Sequence, residues 1–93
     1  MFVVAARCEL HLPNAGSLKG KRSVLNRLRD KLRHSTLAAV AEVEHQELWQ
    51  RATLGLAVVS GEAAHAEELL AAARRIVESD PNVVVLDWQV ERF

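Results

Sequence analysis

The chain has 93 residues, the size of one domain, and 49% of them are apolar, enough for a core without disulfide or metal staples. Twelve bases balance twelve acids, and the lone Cys8 excludes an internal disulfide or a paired-cysteine metal site. No uncharged apolar run is long enough to span a bilayer, and Met1 to Leu12 lacks the basic-then-apolar layout of a signal peptide; the expectation is a soluble, cytoplasmic protein with no membrane partner.

The first element is a strand. Phe2, Val4, Ala6, Cys8, Leu10 and Leu12 alternate with Val3, Ala5, Arg7, Glu9 and His11, which puts the even positions on a core face. Pro13-Asn14-Ala15-Gly16 supplies a turn, and Ser17 suits a helix N-cap. From Leu18 the period becomes helical, and Leu18, Leu25, Leu28 and Leu32 fall within a sector of about 80°. Gly20 weakens the first turn, so the helix is expected to be firm from Lys21 to about Thr36.

Leu37 to Glu44 reads as a second strand whose alanines leave the register open. His45 to Gln50 connects it to a third strand, Arg51 to Ser60. Ser60 is the expected N-cap of a second helix, with Ala66, Leu69, Leu70, Ala73, Ile76 and Val77 on its apolar face and Asp80-Pro81-Asn82 stopping it. In the last strand, Val83 to Phe93, parity places Val84, Leu86, Trp88 and Val90 on one face.

Two strand-helix-strand halves with right-handed crossovers place both helices on one side of a four-stranded antiparallel sheet. The fold class is therefore α+β, a ferredoxin-like βαββαβ sandwich forming one domain over residues 1–93. That fold hosts many unrelated functions and names none by itself.

The other sheet face is left uncovered. Val3, Ala5, Ala57, Val59, Val83 and Val85 are its expected apolar residues, a candidate surface for a homo-oligomer. Base stacking of the RRM kind is excluded there, since the central strands show Val3, Ala5, Gly55 and Ala57 where aromatics are needed.

The charge is unevenly spread. Ser17 to His34 holds seven bases against Asp30 alone, a net of +6, and the rest of the chain carries five bases against eleven acids, a net of −6. Lys19, Lys21, Arg22, Arg29 and Arg33 are the candidate contacts to a polyanion such as RNA or the ribosome. The alternative is a solvated helix face whose bases pair with acids elsewhere.

Catalytic chemistry finds little support. The four histidines, His11, His34, His45 and His65, are dispersed and form no metal trio by spacing, so neither metal nor cofactor is expected. Cys8 lies on core parity, Ser17 and Ser60 read as caps, and the loop before the first helix does not resemble the acylphosphatase phosphate loop. Trp49 has two readings: an anchor that closes the core with Leu48, or a recognition surface with His45, Gln46 and Gln50.

Glu9-Leu10-His11-Leu12-Pro13, the run Ser17 to Leu25 (SLKGKRSVL) and the run Ala41 to Ala52 (AEVEHQELWQRA) resemble the YlxP-like family of small bacterial proteins, a domain of unknown function, over essentially the whole chain. The resemblance implies a ferredoxin-like fold and a gene neighbourhood shared with transcription-elongation, translation-initiation and ribosome-maturation factors. It brings no catalytic residues. The expectation is a non-enzymatic accessory protein that binds RNA or the ribosome, or alternatively a self-associating or small-ligand-sensing module.

Overall fold

A computed structural model describes all residues, Met1–Phe93. The order is β1 (Phe2–His11), α1 (Leu18–Thr36), β2 (Ala39–Glu44), β3 (Arg51–Ser60), α2 (Ala63–Ser79) and β4 (Val84–Arg92). The strands form one antiparallel sheet in the order β2-β3-β1-β4, with both helices on one face, as the sequence predicts. Neither helix is long and apolar enough to cross a membrane.

Alternation along β1 and β3 sends Val4, Ala6, Cys8, Leu10, Ala52, Leu54, Leu56 and Val58 to the helices, and Leu25, Leu28, Leu32, Ala66, Leu70, Ala73 and Val77 meet them. Cys8 lies in this core, and burial, with Glu9 adjacent, pushes its thiol up to about 12, which leaves it protonated and unreactive at neutral pH.

Helix α1 begins at Leu18, ahead of the expected firm start. The Ser17 side chain accepts the Gly20 N–H at 2.9 Å, and a Cβ on Gly20 would stand 3.3 Å from that same oxygen, so the glycine makes room for the cap. The helix closes on Leu37, left-handed at φ 58° and solvent-exposed, which delays β2 to Ala39. Ser60 does not cap α2. It ends β3 and accepts the Glu62 N–H at 3.1 Å, and the helix opens at Ala63 behind Glu62.

Strand β4 departs furthest from parity. Glu9 pairs with Asp87 but Leu10 pairs with Val85, so Leu86 is an unpaired bulge residue. One extra residue reverses every side chain before it: Val83 and Val85 turn into the core, and Val84 and Leu86 are exposed. Val83 and Val85 are therefore not part of the uncovered face.

The β2 edge is partly covered by side chains. On β2 the Val40 carbonyl accepts from Arg33 at 3.4 Å and the Glu42 carbonyl from Gln46 at 3.5 Å, and Val43 is bulged. On β4, Arg92 hydrogen-bonds Glu67 of α2 through both guanidinium positions, which holds the Glu67 carboxyl below its ordinary range.

A candidate polyanion-binding surface

Nineteen residues make α1 about 28 Å long. Lys19, Arg22, Asn26, Arg29 and Arg33 recur at alternating spacings of three and four, so they form a row along one side of it. The Arg33 bond to the Val40 carbonyl shows that this side runs beside the β2 edge. Arg27 and Lys31 flank the other side, next to the Ser79–Asn82 turn. None of these six bases is in an ion pair, and all are exposed except Arg29, which is half-buried with a solvent-shielded Nε lacking any hydrogen-bond partner.

Lys21 must be removed from the candidate polyanion contacts. Its side chain is fully buried, and Nζ lies 2.8 Å from Glu42 Oε2, 2.8 Å from the His45 carbonyl, 3.2 Å from that of Gln46 and 3.3 Å from that of Arg51. Its burial was legible, since Lys21 is three residues after Leu18 and four before Leu25 and so belongs to the apolar stripe. Glu42, two residues from the buried Val40, shares the core-facing parity of β2 and is the partner that sequence reasoning missed.

The Lys21 contacts fix the β2–β3 loop against the first turn of α1. Leu12 donates its N–H to the Gln50 carbonyl at 2.9 Å, and Gln50 Nε2 donates to the carbonyls of Pro13 and Ala15 at 3.2 and 3.4 Å. His45 takes a left-handed φ of 64° to turn the chain. Trp49 does not close the core: 54% of it is exposed, and so is 48% of Leu48. His45, Gln46, Trp49 and Gln50 belong to this one pinned loop, but their side chains part: His45 turns to Glu9, Gln46 to the Glu42 carbonyl, and Gln50 to the carbonyls of Pro13 and Ala15.

On the uncovered sheet face a polar network centres on Glu9. Thr53 Oγ1 donates to it at 2.8 Å, and Arg7 Nε, Arg51 Nη2 and His45 Nε2 stand 3.5, 3.5 and 3.7 Å away. Arg7 also holds Glu44 at 2.5 Å. The ligand atoms of Glu9, Glu44 and His45 lie within 4.8 Å of one another, a set that neither spacing nor charge pattern announces, because three elements contribute to it. Arg7 and Arg51 already satisfy both carboxylates, so a cation there would compete with two guanidinium groups. His11 goes elsewhere, with Nδ1 3.1 Å from the Gln50 carbonyl.

Beyond this network the face is apolar. Ala5, Ala39, Ala41, Val43, Gly55 and Ala57 line a shallow depression of about 350 Å³, with Val3 and the exposed Val59 further along β1 and β3. Gly55 leaves room here: a Cβ on it would stand 3.1 Å from the Val43 side chain, which would have to shift by a few tenths of an ångström.

The family model described as "Protein of unknown function (DUF503)" matches residues 3–90. The chain belongs to that family. Over 78 residues it is 33% identical to the uncharacterized protein YlxP of Bacillus subtilis (strain 168), covering 84% of this chain and 85% of that one. Among solved structures it is similar to a de novo designed protein with ferredoxin fold, at a TM-score of 0.59 and 16% identity, over 98% of this chain and 86% of the other. That likeness shows the fold alone, and the DUF503 relatives leave the activity open.

Proposed function

We propose that this DUF503 protein is a non-enzymatic accessory factor that binds structured RNA, including ribosomal RNA, through the Lys19–Arg22–Arg29–Arg33 row of α1. The observation that carries the reading is that no base of that row is neutralised by an acid, although the chain has twelve acids to offer. Seven bases against one acid between Ser17 and His34 is also more lopsided than a solvated helix face requires, and such sign asymmetry bears on partners. The translation-related gene neighbourhood implied by the family resemblance supports the same direction. In the bacterial cytoplasm the protein is expected to co-sediment with ribosomal subunits at low salt. Recovery entirely at the top of the gradient, with and without ribonuclease, counts against it.

The apolar half of the uncovered face favours a second, compatible reading, self-association into a dimer through Val3, Ala5, Ala39, Ala41, Ala57 and Val59. Removing that area from water is the driving force, and one buried carboxylate would oppose it. Ala57→Glu is expected to shift a dimer to monomer by light scattering, with the thermal midpoint of each protomer little changed. A wild-type protein that stays monomeric at high concentration removes this reading.

A further inference from the structure

An ordered loop normally buries its large apolar side chains, because hydrophobic burial is what offsets the entropy lost on ordering. The β2–β3 loop is tied down by a set of polar contacts. Lys21 draws in the carbonyls of His45, Gln46 and Arg51, and the backbone and side chain of Gln50 tie the loop to Leu12, Pro13 and Ala15. Leu48 and Trp49, its two apolar side chains, stay about half in water. Around Trp49 lies a shallow depression of about 400 Å³ lined by Glu47, Leu48, Gln50 and Arg51. The other tryptophan, Trp88, is instead half-buried against the core, with the Arg74 guanidinium 5.7 Å from its ring centre.

The loop's position narrows what such an indole is for. Its anchor Lys21 shares a helical turn with Lys19 and Arg22, the first two bases of the free row, and its other tie is to the turn that leads into α1. The loop that carries this exposed aromatic is thus fastened to the first turn of α1, from which the unpaired basic row starts, and a partner held on that row by its phosphates would bring its bases toward the loop. Single-stranded nucleic acid is bound by this pairing of positive groove and aromatic platform. The strongly exposed aromatic at the other end of the sheet, Phe93, lies beside Val3, whereas this loop leads into Arg51 opposite His11 at the far end of β1.

We propose that Trp49 is a base-stacking platform, so that the preferred RNA carries an unpaired nucleotide beside the phosphates held by Lys19 and Arg22; this rests on the RNA-binding reading of α1. Stacking on an indole is tolerant of base identity, so the preference is for unpaired nucleotides and not for a sequence.

The test uses the full chain with Trp88→Phe, which leaves Trp49 as the only indole, and two RNA probes: a hairpin with a short single-stranded tail and the same hairpin blunt-ended. The tailed hairpin is expected to quench Trp49 fluorescence and the blunt one to leave it nearly unchanged. Trp49→Ala should weaken binding of the tailed hairpin about tenfold. It should leave the blunt hairpin and the salt dependence unaltered, and Trp49→Phe should restore most of the loss. Equal affinity of wild type and Trp49→Ala for the tailed hairpin, without quenching, overturns the proposal while α1 binding stands, and leaves the loop to a protein partner. Failure of wild type to bind either hairpin overturns the α1 reading and the platform with it.

Discussion

Lys21→Met is expected to be the most damaging single substitution in the protein, lowering stability by about 3–5 kcal/mol in urea unfolding. A domain of this kind has about 5–15 kcal/mol in total, so the thermal midpoint should fall by roughly 15–30 °C. Methionine retains most of the methylene packing but removes the ammonium that meets the Glu42 carboxylate and three backbone carbonyls. A largely buried carboxylate and carbonyls facing a dry wall are then left without a partner, and that penalty exceeds what the pair contributes when intact. The double substitution Lys21→Met with Glu42→Leu should therefore recover a large part of the loss, because an apolar pair carries no desolvation cost. Hydrogen exchange at Gln46 to Gln50 should quicken in the single variant, since the ammonium ties the loop to α1. A cost below about 1 kcal/mol would show that the buried contacts are not a structural staple.

The second large effect concerns binding. Arg22→Glu with Arg29→Glu reverses two of the four bases in the row, and affinity for structured RNA at moderate salt should fall at least about 100-fold, with the salt dependence weakened by about two phosphate contacts. Arg22 is exposed and Arg29 half-buried, and neither is in an ion pair, so stability should change by only about 0.5 kcal/mol. Relief of the unpartnered Arg29 Nε offsets part of any cost. A folded variant that still binds like wild type would move the site away from α1.

The elements were legible where one physical signal acted alone. Ten residues of strict alternation made β1 unambiguous, and the Leu18, Leu25, Leu28 and Leu32 stripe fixed the buried face of α1. Parity failed in β4 because a bulge at Leu86 is a property of two paired strands, and nothing in Val83 to Leu86 announces it. Open register in β2 had a similar source, since Val43 bulges to cover Gly55 and alanines on either parity fit. Counting Lys21 among the surface bases was a charge-first reading of a residue whose helical position already marked it as internal. The Trp49 anchor failed for the opposite reason: hydrophobicity argued for burial, but the loop is held by carbonyl contacts that only the fold assembles. Of the candidate site, the free row Lys19, Arg22, Arg29 and Arg33 was readable from spacing, whereas the absence of acid partners required the sheet and second helix to be in place.

The most direct test of RNA binding by α1 is the affinity of the wild-type protein for an RNA hairpin across a series of salt concentrations, read by fluorescence anisotropy. Four phosphate contacts from Lys19, Arg22, Arg29 and Arg33 predict a slope of about −3.5 in log K against log salt on a base-paired hairpin. A slope near zero, or the same slope in Arg22→Glu/Arg29→Glu, would contradict the account.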